Sequence, residues 1–597
     1  MSRLLRSTAL LSFALGACSG PPAVETPAAG AQGDSNAGHV QLQRLGDEYI
    51  DAVATLDPVV IALGLTDIRT PDHATLTDNT PDGLASFRRK EDAILERLQK
   101  IDPASLARAD WVTWQSLQET LEASVGQRVC RSELWDINHL QSWHTSFATL
   151  AREQPVGTDA ERAAALKRWS KLPAYIAQSR ANLEAGVAAG YSAPKSVVHR
   201  VIGQFDTIVA APLDENPFYE FVTRAGEHPD FQAAVKTLFE TEIVPALAAY
   251  RDFLRDTYLP AARDEIAIKV LPTGAECYEA LLRSWHSTRI GSERTWRRGQ
   301  EAVAANKAAV IERGKAMFGE SDFATILKRV SEAPGNRFAS EAELIDTTRA
   351  LVPVEREKVA RFFTKLPEQP LVVEPFPDFL KGTGQASRYE QKPESEGPAV
   401  YRIGTDGWET QTRGRAAIIA AHEGWPGHHL QIATARGLQG LHPVTRLATS
   451  AAYIEGWARY AEALAEEAGV YEGGYGEITR RAWPARGMVI DPGIHLYDWT
   501  REQAVAYAME SGNFTPQTAE DLIDRVAAWP GQLTAYDTGG LEIFALREEA
   551  QERLGDAFDI RAFHDRILEN GALPLGALRE HVEAWIEAEG AGTGTAR

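Results

Sequence analysis

The stretch AAHEGWPGHHLQ (residues 420–431) holds three histidines within eight residues and comes close to a known metal-binding pattern. In His-Glu-x-x-His, two histidines four residues apart share one helix face and bind one ion. Here the residue four after His422 is Pro426, and the next histidines are His428 and His429. On a straight helix His428 would point away from His422, and His429 would lie about 10 Å further along the axis. A regular helix therefore brings neither pair to one ion.

The Pro426-Gly427 pair offers a way to change this geometry. Proline lacks the N–H that would bond to the carbonyl of His422, and glycine accepts unusual dihedral angles. A bulge that absorbs two residues would bring His428 to the place of the second histidine. Glu423 would still point at the metal as a general base. The alternative is a solvated loop with scattered histidines, but three of the chain's 14 histidines in so short a stretch favour a metal site.

The segment AAYIEGWARYAEALAEE (residues 451–467) offers a third ligand. Its small and apolar residues predict a helix, and Glu455 lies 27 residues beyond His428, far enough for a helix, a turn and a returning helix. Zinc takes about four ligands from His, Cys and carboxylate groups. Glu462, two turns later on the same face, could accept a hydrogen bond from a ligand histidine. Taken alone, either glutamate would be read as a solvated charge, and the preceding motif changes that interpretation.

Most of the chain is predicted to be helical. From about Val40 to Trp585, apolar residues recur at three- and four-residue spacing. Three short β-prone segments at 370–377, 386–391 and 398–405 break this pattern and predict a small sheet. The fold class is therefore mostly α, a single large helical domain over residues 39–590, and the resemblance given below implies a deep cleft in it. Its small β-region, at about 370–405, lies beside the zinc helices, at about 412–468.

The first residues predict export and a lipid anchor. Arg3 and Arg6 precede an apolar run that ends in LGAC at Cys18, which predicts a signal peptide at 1–17 and acylation of that cysteine. A plain signal peptide with a chance cysteine is the alternative. Residues 18–38, rich in Pro, Ala, Gly and Ser, predict a flexible tether. With Ser at position 19, we expect a lipoprotein of the outer membrane that faces the periplasm and contacts the membrane only through this anchor.

Composition limits the partners. The formal net charge of −21 argues against nucleic acid, because phosphate binding needs a basic face. Beyond Cys18 the sequence holds only Cys130 and Cys277. They could pair in an oxidising periplasm or be two buried small hydrophobic residues, and two cysteines alone do not decide this.

The sequence resembles the domain of unknown function 885 (DUF885) family of bacterial proteins, which is related to the gluzincin zinc metallopeptidases. The resemblance covers roughly residues 40–588, and HEGWPGHHLQ followed by YIEGWARYAE carries most of it. It implies that His422, His428 and Glu455 are zinc ligands and that Glu423 is the base. It leaves the reaction open, because most family members are uncharacterised.

Two further matching stretches suggest groups that hold a substrate. Gluzincins with a deep helical cleft use a Tyr and a His to bind the oxyanion and the substrate backbone, and Tyr536 in PGQLTAYDTGG and His495 in DPGIHLYDW are the candidates here. The alternatives are a buried tyrosine bonded to backbone and a histidine that caps a helix. Arg486 could pair with a substrate carboxylate. His429 is expected to face the cleft or the core rather than zinc.

These observations predict a zinc-dependent hydrolase that cleaves peptide bonds in short peptides of the bacterial cell envelope, through zinc-bound water activated by Glu423. One alternative keeps the zinc site but cleaves a non-peptide ester or amide. Another is a non-catalytic envelope lipoprotein, against which the retention of Glu423 counts.

Overall fold

The computed structural model describes residues 32–376, 386–391 and 397–594. The predicted signal peptide and Cys18 lie outside the described residues. The first helix begins at Gln32, within the segment that we predicted as a tether. The prolines of that segment all precede Gln32, so nothing in residues 32–38 blocks a helix. The tether prediction is therefore wrong for these last residues.

The N-terminal half consists of helices joined by short turns. Its helices are α1 Gln32–Leu56, α2 Pro58–Gly64, α3 Pro81–Leu98, α4 Arg108–Gln127, α5 Trp143–Glu153, α6 Asp159–Trp169, α7 Leu172–Ala188, α8 Lys195–Ala210, α9 Glu220–Arg224, α10 Pro229–Leu238, α11 Val244–Phe253, α12 Leu259–Ala261, α13 Gly274–His286, α14 Gly291–Phe318, α15 Phe323–Glu332 and α16 Glu341–Val359. Two π-helical segments, Phe239–Ile243 and Leu254–Tyr258, join α10, α11 and α12 into one rod.

A small sheet follows, as the sequence predicted. Its strands are β1 Leu371–Pro375, β2 Arg388–Glu390 and β3 Ala399–Ile403, in the order β1-β3-β2. The central strand β3 pairs parallel to β1 and antiparallel to β2, with Tyr401 opposite Val373 on one side and Tyr389 on the other. The strand β2, which ends the sheet, lies next to the candidate site.

Helices resume after the sheet and continue to the end of the described residues. They are α17 Arg413–Glu423, α18 His428–Arg436, α19 Ala451–Glu467, α20 Tyr475–Ala482, α21 Gly487–His495, α22 Arg501–Met509, α23 Pro516–Ala528, α24 Ala535–Leu554, α25 Ile560–Leu568 and α26 Leu575–Gly594. Among the described residues, none of the helices is both long and apolar enough to span a membrane.

The hydrophobic core links the two halves of the chain. One cluster joins α17, α19, α24, α25 and α26 to the sheet and to α13, while a second packs α5 to α11 against α21 and α23. A third cluster joins α1 to α4. Cys130 and Cys277 are buried in the first cluster and form a disulfide, which decides the question that the sequence left open.

Helices α19 and α24 cross at glycines. A Cβ atom on Gly456 of α19 would lie 2.4 Å from the carbonyl carbon of Gly539 on α24. A Cβ atom on Gly539 would lie 1.7 Å from the carbonyl oxygen of Ala452. Only glycine permits backbones to approach so closely. This crossing fixes Tyr536, at the start of α24, relative to the glutamates of α19.

Candidate metal centre

The Pro-Gly break ends one helix and starts another. Helix α17 ends at Glu423, α18 begins at His428, and the Trp425–Pro426 peptide bond between them is cis. A Cβ atom on Gly427 would lie 1.9 Å from the carbonyl oxygen of His422, so this turn folds back against the end of α17 in a way that only glycine allows. The predicted two-residue bulge in a continuous helix is therefore wrong. The expected result of the bulge, a His428 side chain close to His422, is nevertheless confirmed, because the turn brings the two histidines together.

Three side chains converge as the sequence predicted. Single ligand atoms of His422, His428 and Glu455 all lie within 4.8 Å of one another. Oε2 of Glu455 is 3.7 Å from Nε2 of His422 and 3.5 Å from Nε2 of His428. His428, and not His429, is the second histidine of the cluster.

The donor set fits a divalent metal ion such as zinc. Two imidazole nitrogens and one carboxylate leave a position open, as in catalytic zinc sites. Oε2 of Glu455 is buried and accepts no hydrogen bond within the described part of the chain. Burial raises the pKa of Glu455, but the close imidazoles of His422 and His428 outweigh this and hold it well below the usual range. An ionised, buried carboxylate oxygen between two imidazoles is a strong acceptor for a cation.

A chain of charged groups contacts His422 at Nδ1, the ring nitrogen that points away from Glu455. Its Nδ1 lies 2.9 Å from Oε1 of Glu462, which also accepts hydrogen bonds from Arg459 at 2.9 Å. Nε of Arg459 is 3.0 Å from the carboxylate of Asp537 on α24. The prediction for Glu462 as hydrogen-bond acceptor is confirmed. The contact fixes which nitrogen of His422 faces the cluster.

Glu423 lies beside the cluster in the cleft. Its Oε2 accepts a hydrogen bond of 2.8 Å from the backbone N–H of Tyr389 on the edge strand β2. Burial raises the pKa of Glu423, although the charges of His422 and His428 oppose this. A carboxylate with a raised pKa is suited to accept a proton and release it again.

His429 faces away from the cluster, as expected. Its Nε2 donates a hydrogen bond of 3.0 Å to the carbonyl of Gln369, and its Nδ1 lies 3.2 Å from the Tyr389 hydroxyl. Burial lowers its pKa to about 4, so it is neutral at physiological pH. It supports the sheet against α18.

Tyr536 lies next to the cluster. Its ring is 6.4 Å from the His422 ring between centroids, and it lines the same cleft. Its hydroxyl accepts a hydrogen bond of 3.1 Å from Nη2 of Arg525. Burial and the charge of Glu455 raise the pKa of Tyr536, so the phenol keeps its proton. The structure therefore brings this predicted residue to the site with a hydroxyl that can donate a hydrogen bond.

His495 is outside the cleft, and its predicted place in the site is wrong. It is fully buried at the end of α21. Its Nδ1 accepts a hydrogen bond of 3.1 Å from the N–H of Ile268, and its Nε2 lies 3.1 Å from the carbonyl of Val526. Both ring nitrogens therefore bind backbone and hold segments of the core together.

Arg486 is also misplaced by the sequence prediction. Its side chain is buried; Nε donates to the carbonyl of Ala482, and Nη1 donates to the carbonyl of Tyr507 at 2.8 Å. Nη1 is also 3.4 Å from Glu510. Its Nε and Nη1 donate within the protein and the residue does not line the cleft, so the structure does not bring it to a substrate carboxylate there.

The cluster opens into a cleft of about 1870 Å³. Its walls come from both halves of the chain and include the segments 65–68, 139–141, 200–207, 386–391 and 431–446. A space of this size exceeds that of ordinary small-molecule pockets and can hold an extended oligopeptide.

The sequence analysis did not predict two arginines that lie near the cluster. Arg459 bridges Glu462 and Asp537, and Arg525 contacts Tyr536. Arg459 stands three residues before Glu462 on the same helix, a spacing that predicts an ion pair. Arg525 stands on α23, before the turn that leads to Tyr536, and no spacing rule signals that contact.

The fold and the cluster together define a helical protein with a candidate His-His-Glu metal centre in a large cleft. The family described as "Bacterial protein of unknown function (DUF885)" matches residues 60–582. The chain therefore belongs to the DUF885 family. No curated protein matches the sequence.

Two solved structures share the fold. One is described as a "putative lipoprotein" from Colwellia psychrerythraea, with a TM-score of 0.81 and 23% sequence identity over 92% of this chain and 99% of that chain. The other, from Shewanella oneidensis, is described as such a lipoprotein of unknown function, with a TM-score of 0.72 and 20% identity over 93% and 99% of the two chains. The likeness extends over nearly the whole described fold.

Proposed function

We propose that this protein is a zinc-dependent hydrolase that cleaves peptide bonds in short peptides of the bacterial cell envelope. The convergence of His422, His428 and Glu455, with Glu423 beside them in the cleft, carries the proposal. Zinc bound by these three side chains would polarise the scissile carbonyl and lower the pKa of water. Side chains of the protein carry out the proton transfers and stabilise the developing negative charge.

Glu423 acts as the general base. Its carboxylate takes a proton from water as the water oxygen bonds to the carbonyl carbon, and later gives that proton to the leaving amine as the C–N bond breaks. The N–H of Tyr389 holds one carboxylate oxygen in place. The products are a carboxylic acid and an amine.

Tyr536 stabilises the negative charge that develops on the carbonyl oxygen. Its oxygen accepts a hydrogen bond from Arg525, so its own proton is available to another acceptor. A positioned donor of this kind stabilises the transition state more than the ground state.

The cleft supports the proposed class of substrate, and the predicted lipid anchor supports the proposed compartment. A cleft with walls from both halves of the chain favours short, extended peptides over folded proteins. The predicted acylation of Cys18 places the enzyme at the membrane surface within the envelope, and mass spectrometry of the mature protein tests this placement. An unmodified N-terminus at Met1 in membrane fractions would contradict it.

The experiment combines metal analysis with a substrate panel. Purified protein is analysed for bound metal, and cleavage of a mixed peptide library is followed by mass spectrometry with and without chelator. We expect about one zinc per chain, and cleavage that stops with chelator and returns with zinc. Esters and non-peptide amides are assayed in parallel, and hydrolysis of these alone would replace the peptidase proposal.

Two variants separate the base from the ligands. Glu423→Gln keeps the shape but cannot accept the proton, so zinc should remain while turnover falls by about 10²–10⁴-fold. Glu455→Gln replaces a charged ligand by a weak neutral one and should lose zinc as well as rate. Wild-type turnover in a zinc-loaded Glu423→Gln protein would refute the mechanism.

A further inference from the structure

Arg525 lines the cleft without a direct carboxylate partner in the described part of the chain, unlike three other arginines there. Arg200 pairs with Asp521 and Asp524 at 2.6 and 2.5 Å, Arg388 pairs with Glu390 at 2.9 Å, and Arg446 pairs with Asp67. Protein carboxylates therefore neutralise these three.

The partners of Arg525 are neutral. Its Nη2 donates to the amide oxygen of Gln532 at 2.6 Å and to the Tyr536 hydroxyl at 3.1 Å. Its Nε is buried without a hydrogen-bond partner, and within the described part of the chain no carboxylate contacts Arg525 directly, although Glu455 and Asp491 attract its charge from further away. Burial disfavours the charge of Arg525, and Glu455 and Asp491 offset this only through longer-range attraction, so a substrate anion would be its first direct carboxylate partner. The N–H groups of Nη1 remain as donors, and one of them can give a charge-assisted hydrogen bond to a carboxylate oxygen in the cleft.

We propose that Arg525 binds the C-terminal carboxylate of the substrate, which makes the enzyme a carboxyl-terminal exopeptidase. This inference rests on the proposed function and assigns it a substrate class: peptides with a free carboxyl end. It also transfers to Arg525 the role that the sequence suggested for Arg486.

The distance to the cluster limits the length of the released fragment. Three contacts separate the scissile carbonyl from the substrate carboxylate. The carbonyl oxygen bonds to the Tyr536 hydroxyl, this hydroxyl is 3.1 Å from Arg525, and the guanidinium bonds to the carboxylate. Three such contacts reach on the order of 10 Å, and an extended peptide covers about 3.3–3.6 Å per residue. The carboxyl end therefore lies no more than about three residues beyond the scissile bond.

The test compares matched peptides on the zinc-loaded protein. One peptide has a free C-terminal carboxylate, the second has a C-terminal amide, and the third has a C-terminal amide with glutamate as its last residue. We expect kcat/KM for the free acid to exceed that for the first amide by about 10- to 100-fold, the range for hydrogen bonds to a charged group. Equal cleavage of acid and amide would overturn the inference while leaving the proposed hydrolase intact. Full recovery of the rate by the side-chain carboxylate would overturn the terminal assignment.

Variants show whether Arg525 carries the preference. Arg525→Gln should reduce kcat/KM for the free acid and bring the ratio of acid to amide close to one. Arg200→Gln, which alters a cleft arginine that already has two carboxylate partners, is the matched control and should keep the ratio. If Arg525 served only to position Tyr536, both peptides would lose the same factor, and the carboxylate role would be wrong.

Binding gives a readout that does not depend on turnover. The zinc-loaded Glu423→Gln protein should bind the free acid about 10- to 100-fold more tightly than the amide in calorimetry. Equal affinities, or no binding of either peptide, would overturn the inference. Preferential binding of the acid by a protein that hydrolyses no peptide would instead contradict the proposed function alone.

Discussion

Nδ1 of His422 lies 2.9 Å from Oε1 of Glu462, two turns beyond Glu455 on helix α19. The same helix thus supplies one proposed ligand of the metal and the group that orients another. Glu462 is nearly inaccessible and its charge is balanced by Arg459, so its carboxylate is fixed against Nδ1 of His422.

Glu462→Gln should weaken zinc binding by about 10- to 100-fold, the usual cost of removing a carboxylate that orients a ligand histidine. The measurement is zinc affinity by competition with a chelator. Glu466→Gln, on the same helix but paired with Arg480 and Arg481 instead, is the control and should keep wild-type affinity. Unchanged zinc affinity in the Glu462 variant would show that the contact does not tune the site.

Tyr536→Phe should leave zinc in place and reduce turnover by about 10²–10³-fold, because the hydroxyl that stabilises the oxyanion is lost. Zinc content and kcat are measured on one peptide. Tyr453→Phe is the control: this hydroxyl bonds to the carbonyl of Ile567 at 2.8 Å within the core, so its loss should affect stability and spare kcat. A Tyr536→Phe enzyme with full turnover would remove Tyr536 from the mechanism.

Gly427→Ala should disrupt the metal centre, since the added Cβ would lie 1.9 Å from the carbonyl oxygen of His422 and must push α18 away from α17. We expect loss of zinc and a lower melting temperature. Gly126→Ala, where a Cβ meets nothing within 4 Å, should leave both unchanged or slightly raise stability. Normal zinc content in the Gly427 variant would mean that the turn does not fix the distance between the histidines.

His495→Ala should lower the free energy of unfolding by about 1–3 kcal/mol, because the N–H of Ile268 and the carbonyl of Val526 lose a buried partner. Chemical denaturation measures this change. Zinc content and kcat of the folded protein should stay at wild-type values. A loss of kcat without a loss of stability would return His495 to the catalytic site.

The sequence was sufficient for features that depend on neighbouring residues. Hydrophobic spacing predicted the helices, and β-prone segments between turn residues predicted all three strands. Ligand chemistry and spacing predicted that His422, His428 and Glu455 would come together, because histidine and carboxylate side chains at such spacing can share one ion. The rejection of His429 also followed from local geometry.

Only the tertiary structure decided which polar side chains reach the cleft. Nothing in the sequence separates His495 and Arg486 from the polar residues of the cleft, yet both bind backbone inside the core. Tyr536 and Arg525 instead line the cleft. The difference comes from partners far along the chain, such as Ile268 for His495, and from the glycine crossing of α19 and α24 that places Tyr536. Local periodicity tells which residues share a helix face, whereas the direction of that face depends on how distant helices pack.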